Sequence, residues 1–285
     1  MSREAVRLEQ LPRDDRYSSF FISPDGTELA VDVMNENGMH DIWIHDFNRK
    51  TINRQTTDPA NDFLGVWSPD GKRLVFGSSR TAVSQLYLAT KGGGGAEQQI
   101  TDGPIRKYPV QWTRDGKYVL YRGTDPTGRD DLWALAVDGD RKPFPVVQTA
   151  YSTFTGQVSP DGKWIAYQST DSGTDEVYVR SFPVPGVRVP VSNRGGRWPK
   201  WRADGKEREL YFVSANDMMV AVKLELSADG LKTQEPKELF RAILPNNLTY
   251  PYDVSADGKR FLILERIGRQ NLQLEVMTNW RARMK

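Results

Sequence analysis

Two histidines, 37 carboxylates and no cysteine set the limits of the chemistry this chain can do. Without cysteine there is no thiolate nucleophile, no thiolate metal site and no disulfide. A Ser-His-Asp triad or a histidine metal site would have to be built from His40, in a loop, and His45, on a strand with Trp43 and expected to face away from it. No G-x-S-x-G, G-x-G-x-x-G, H-R-D or D-F-G occurs, so the serine-hydrolase elbow and the protein-kinase set are missing. DPTGRDD at 125–131 and DGD at 138–140 have acidic spacing reminiscent of calcium loops. Neither matches the twelve-residue pattern of alternating oxygen ligands, and both read as solvated loops. The glycines at 92–95 fall between two strands with no helix after them, so they read as a hairpin loop rather than a phosphate cradle. No catalytic residue, metal or cofactor is assigned.

The remaining carboxylates lead from chemistry to architecture. Asp25, Asp70, Asp115, Asp161, Asp204 and Asp257 each stand third in a four-residue turn: SPDG at 23, 68 and 159, TRDG at 113, RADG at 202 and SADG at 255. Proline presets φ for the second position, aspartate tolerates the third, and glycine supplies the left-handed residue that closes a hairpin with a bulge. The period marks these aspartates as turn formers. A large apolar residue precedes each turn: Ile22, Trp67, Trp112, Val158, Trp201 and Val254. The second copy contains four strand-like runs, FLGVW, RLVFGS, QLYLAT and EQQIT. Four short strands and their connections fill a period of about 45 residues. The third run recurs as Asp41-Ile42-Trp43, Gln85-Leu86-Tyr87, Asp131-Leu132-Trp133 and Glu176-Val177-Tyr178, with its aromatic residue packing between sheets.

Repeated four-stranded units of this size make a β-propeller. The expected fold is therefore all-β, a single domain over 1–285, with six blades of four antiparallel strands. After the last turn the chain supplies RFLILE and NLQLEVMTNW but no fourth strand, and VRLEQL at 6–11 is expected to complete that last blade. The fifth copy departs, with RADG, the insertion GKEREL and the long stretch TQEPKELFRAILPNNLTY.

Hydrophobic residues are 38% and charged residues 27% of the chain, and 39 cations nearly cancel 37 anions, so no overall field points to nucleic acid or an anionic membrane. No apolar run is long enough to span a bilayer, and MSREAVRLEQLPRDD lacks a signal-peptide core. The repeat spelling, an apolar residue, SPDGK, an apolar strand and D-I-[WY], resembles the TolB-like, WD-repeat-like propeller family. The ending PYDVSADGKRFLILE is similar to the carboxy-terminal propeller of some bacterial serine/threonine kinases, and related propellers precede prolyl-oligopeptidase-like catalytic domains. The resemblance implies a periplasmic or extracytoplasmic protein that binds other proteins, using the mouth of the propeller. The residues entering the first strands are Arg16 and Tyr17, Asp62 and Phe63, Arg106, Lys107 and Tyr108, Tyr151 and Phe154, Arg194, Arg197 and Trp198, and Asn247 and Tyr250. Cations interleaved with aromatic rings suit a protein or peptide partner, or a small anionic or sugar-like ligand. The competing expectation is a propeller enzyme of lyase or lactonase type, for which Asp62 and Asp253 are the carboxylates near the entrances.

Overall fold

The computed structural model describes residues 6–7, 17–227, 230–245, 249–267 and 271–278; Arg16 and Asn247 lie outside them. Every regular element among these residues is a β-strand, and the strands form six antiparallel sheets. No helix among them is long and apolar enough to cross a membrane.

The chain divides into two compact units. One comprises Pro12–Gln148 with Leu248–Tyr250 and holds three four-stranded sheets. Their strands are Tyr17–Ile22, Glu28–Met34, His40–Asp46 and Thr51–Arg54 in the first, and Asp62–Trp67, Arg73–Ser78, Gln85–Thr90 and Gln98–Gln99 in the second. The third has Arg106–Trp112, Tyr118–Thr124, Asp130–Ala136 and Pro143–Val147. The other unit comprises Met1–Leu11, Thr149–Asn247 and Pro251–Lys285. Its fourth sheet has Thr153–Val158, Trp164–Ser169, Glu176–Ser181 and Val189–Pro190. The fifth has Gly196–Trp201, Glu209–Ser214 and Met218–Ser227, with both Gly230–Thr233 and Lys237–Arg241 on its outer side. The sixth has Tyr252–Val254, Arg260–Ile267 and Asn271–Thr278, completed by Val6–Arg7.

The periodic turns explain why the first two strands of each sheet pair. In the first copy Gly26 N–H donates to Ser23 O at 2.9 Å, the Ser23 hydroxyl donates to Asp25 Oδ1 at 2.6 Å, and the same carboxylate accepts Thr27 N–H at 3.0 Å. Glu28 N–H closes back on Ser23 Oγ at 2.9 Å. The hydroxyl is therefore as much a part of the turn as proline or glycine, and it holds the Asp25 carboxyl below its ordinary value, with help from Thr27 N–H. The hydroxyl–carboxylate bond recurs at Ser68–Asp70, Thr113–Asp115, Ser159–Asp161 and Ser255–Asp257. In the fifth copy Arg202 replaces the hydroxyl with a fork onto Asp204, at 2.9 and 2.8 Å, and reaches Glu207 at 2.7 Å. This larger clamp faces the sixth sheet's turn, where Ala203 N–H bonds Ala256 O at 2.9 Å and a Cβ on Gly258 would lie 2.2 Å from the Tyr211 hydroxyl. The irregular fifth turn is a fitted contact.

The apolar residue before the turn joins successive sheets. Trp67 Nε1 donates to Phe21 O, and Trp201 Nε1 to Gln157 O, each at 2.9 Å, while both indoles are buried. Burying an indole and satisfying its N–H with the preceding sheet's backbone gives both area and direction. Trp112 instead turns back to Gly116 O within its own hairpin.

The letters SADG also occur off the period at 227–230. There the ten-residue third strand of sheet five folds back on itself, Ser227 pairing with Gly230 and Leu224 with Thr233. The same letters thus close an extra hairpin. At the other end of the molecule's sequence, Val6 pairs with Val276 and Arg7 with Glu275, so the amino-terminal strand completes the last sheet. Removing residues 1–12 is expected to expose the edge of Asn271–Thr278 and lower the thermal midpoint by several degrees; an unchanged midpoint would show that this pairing adds nothing.

Candidate functional site: the first-strand entrances

The entrance of each first strand is shaped by a slip of register. In sheets one to five the pairing of first and second strands breaks between Tyr17 and Phe20, Phe63 and Val66, Pro109 and Gln111, Thr153 and Gly156, and Arg197 and Lys200. A bulge leaves a backbone group unpaired and re-aims the neighbouring side chains. At two bulges the residue is left-handed, Leu64 at φ 58° and Trp198 at φ 56°. The Leu64 N–H points at Asp32 of the previous sheet, 3.0 and 2.9 Å from its two oxygens. Trp198 N–H points at Gln168 Oε1, 3.1 Å away. Asp32 and Gln168 both stand six residues after a turn glycine, so one structural position supplies the acceptor in both units. Asp32 is fully enclosed and also accepts Ser19 Oγ at 2.6 Å. Burial pushes its carboxyl up to about 7, against the opposing bonds from Ser19, Leu64 and Ser18.

Several entrance residues are used inside the protein. Tyr17 is 5% exposed. Asp62 is 0% exposed and bonds Arg80 Nη2 at 2.9 Å. Arg80 also pairs with Asp58 and Glu97 and lies 4.7 Å from the Tyr87 ring. Burial raises the Asp62 carboxyl and lowers the Lys107 ammonium. Lys107 is enclosed by Asp102 O at 2.7 Å, Gln85 Oε1 at 2.9 Å and Ile105 O at 3.1 Å. Tyr250 is buried with its ring 5.2 Å from Phe21, and desolvation raises its hydroxyl. Trp198 is buried, and its carbonyl accepts the Tyr252 hydroxyl at 2.6 Å. Arg197 pairs with Asp217 at 3.4 Å and lies 4.7 Å from the Trp198 ring. Arg106, Tyr151 and Arg194 are exposed.

The carboxylates expected for a lyase-like site are engaged as well, Asp62 by Arg80 and Asp253 by Lys200 at 3.2 Å. His40 Nδ1 lies 3.2 Å from Asn61 Oδ1, which also accepts the His40 N–H. His45 is two residues from Trp43 on one strand and so shares its face, contrary to expectation; its ring lies against Phe47 at 5.3 Å. The loop at 125–131 closes on itself, Asp125 accepting Thr127 N–H and Arg129 N–H.

A half-exposed cluster stands apart in the Pro12–Gln148 unit. The Phe63 and Tyr108 ring centroids are 5.5 Å apart, and the Arg122 guanidinium lies 4.4 Å from the Tyr108 ring. Gly77 makes the room, since a Cβ there would fall 2.3 Å from the Phe63 ring. Tyr108 and Arg122 face each other across paired strands. Reading first strands alone missed Arg122, which was findable as the residue six after the Gly116 turn, the position of Asp32 and Gln168. Two rings and a cation on one face can hold an apolar or aromatic side chain beside an anionic group.

Residues 18–141, which contain this cluster, match the family model described as TolB beta propeller domain. These residues are similar to TolB-type propeller repeats. An uncharacterized protein of Agrobacterium fabrum is 28% identical to this TolB-like chain over 198 residues, 65% of this chain and 66% of that protein. Bacillus subtilis YuxL, named as an uncharacterized peptidase, is 26% identical over 202 residues, 54% of this chain and 29% of that one. The matches thus span less than two thirds of each relative's length. Among solved structures, TolB from Acinetobacter baumannii superposes with a TM-score of 0.64 at 17% identity, over 93% of this chain and 61% of that one. An oligogalacturonate lyase in complex with manganese gives 0.62 at 14% identity, over 94% and 78%. At such identities the likeness is one of fold.

Proposed function

We propose that this chain is a non-enzymatic binding module in which the six sheets are the blades of one closed TolB-like propeller and the first-strand entrances take a protein or peptide partner. The observation that carries this reading is the Phe63–Tyr108–Arg122 cluster, which leaves two rings and a guanidinium partly exposed while Asp62 and Lys107 beside them are enclosed. Interfaces concentrate their energy in such aromatic and arginine positions. The TolB resemblance supports a location outside the cytoplasm for the module. The partial match to YuxL supports a second reading, in which the same module serves a longer peptidase chain.

The test is to select peptides on the purified chain from a displayed random library and to measure their affinity by fluorescence anisotropy. Phe63→Ala or Tyr108→Ala is expected to cost about 2 kcal/mol, a roughly thirtyfold weakening. Peptides that bind both variants as tightly as the parent would place the interface elsewhere.

A further inference from the structure

We infer that Arg122 is the receptor for a carboxylate carried by the partner peptide, an assignment that rests on the binding reading above and gives it a chemical class. Arg122 sits on the second strand of sheet three, directly across from Tyr108, and its guanidinium is laid over that ring at 4.4 Å. The ring supports one face of the cation and limits its rotamers, leaving the planar edge to receive a ligand. Among the described residues none of its guanidinium N–H groups makes a hydrogen bond: the carboxylate oxygen it pairs with, Asp130 Oδ1, is 3.8 Å from Nε and already accepts the Thr124 hydroxyl. The Nε atom is enclosed without a partner, and the side chain as a whole is 17% exposed.

Two other little-exposed arginines each meet three carboxylates. Arg80 meets Asp58, Asp62 and Glu97, and Arg202 meets Asp204, Glu207 and Glu209. A guanidinium that is mostly desolvated, stacked and short of acceptors is a donor fork waiting for an anion. The position itself is informative. Asp32 and Gln168, its equivalents in two other repeats, are acceptors spent on the bulge amides of Leu64 and Trp198. A cation cannot accept an N–H, so arginine here is released from that duty. One guanidinium with a carboxylate already 3.8 Å away suits a monoanion better than a phosphate dianion, which calls for several cations. The Phe63 ring next to Tyr108 supplies an apolar flank for the rest of a peptide residue.

The experiment follows the Arg122 Nε–H resonance of the full chain in ¹⁵N-labelled protein at low salt. N-acetylglutamate and N-acetylphenylalanine are the carboxylate probes, and their amides are the neutral controls. A saturable shift with the acids and none with the amides is expected. Tyr108→Leu should weaken the response severalfold, and Arg122→Lys, which keeps the charge but loses the fork, should weaken acid binding by about tenfold as read on neighbouring amide signals. Equal responses to acids and amides, or no saturable response, would overturn the assignment. Galacturonate binding while both amino-acid probes fail would overturn the peptide source. If selected peptides depend on Phe63 yet bind Arg122→Gln as tightly as the parent, the carboxylate assignment falls while the docking surface stands. If the acids shift Arg122 but selected peptides ignore Phe63 and Tyr108, the peptide reading falls instead.

Discussion

Asp32→Asn is expected to make the protein more stable at pH 8, with the gain shrinking steadily as pH falls and vanishing only below about pH 4. The folded carboxyl titrates near 7 because it is fully buried, whereas the ordinary aspartate value is 3.8. A folded value above the unfolded one means that the native state binds the proton more tightly. This group's contribution is therefore most favourable at low pH, is lost as pH rises from about 4 to about 7, and stays lost above that. Three pH units correspond to about 4 kcal/mol at about 1.4 kcal/mol each, an upper figure for what the neutral amide recovers. Asparagine keeps an oxygen for Leu64 N–H, and its amide can donate to a serine hydroxyl. The fourth sheet already contains the comparison, since Gln168 accepts Trp198 N–H without a charge. No cation pairs with Asp32 among the described residues: Ser18 and Ser19 face it from the first strand, the Leu64 amide from the next sheet, and Ile42 is its pairing neighbour. On that same third strand the charged Asp41 is already matched by Arg54. Thermal midpoints of parent and variant between pH 5 and 8 test the sign. Parallel curves would refute it, as would a carboxyl midpoint below about 5 by NMR.

Arg80→Met is expected to be far more damaging than the loss of a surface cation. The guanidinium faces Asp62, which has no exposed surface, along with Asp58 and Glu97. Removing one partner of a buried pair leaves the other charged and desolvated, at a cost of about 3–5 kcal/mol. The Asp62 carboxyl, already raised by burial, should then rise further. The combined variant Arg80→Met, Asp62→Asn should recover much of the loss, because neither charge remains to be solvated. Denaturant unfolding of the single and double variants distinguishes the cases. A single variant within about 1 kcal/mol of the parent would mean that the pair behaves as a surface bridge.

These two positions also show where reading the sequence succeeds and where it stops. The turns were legible because their chemistry is local: Ser23, Pro24, Asp25 and Gly26 bond one another within a few residues, so four letters specify the hairpin. The completion of the last sheet by Val6 and Arg7 followed from counting strands. The entrance residues are a different matter. Whether Lys107 faces solvent is decided by Gln85, on the preceding sheet, and by a loop that offers its ammonium two carbonyls. Asp62 looks like a free carboxylate until Arg80 arrives from the adjoining strand connection. Charge and spacing alone do not show that a polar group has been matched by a partner far along the chain. Arg122 escaped because its stacking on Tyr108 and its 3.8 Å separation from Asp130 are set by cross-strand geometry that no local motif spells.

The pairing of Val6 with Val276 sets an order of events during synthesis. Val6–Arg7 is made about 270 residues before the strand it pairs with, and at roughly 5–20 residues per second it waits for ten seconds or more. Through that interval the amides of Val6–Arg7 have no strand of their own sheet to join. Nascent chains of this protein are therefore most exposed to chaperone capture, or to pairing with another copy's strand edge, just before Asn271–Thr278 emerges.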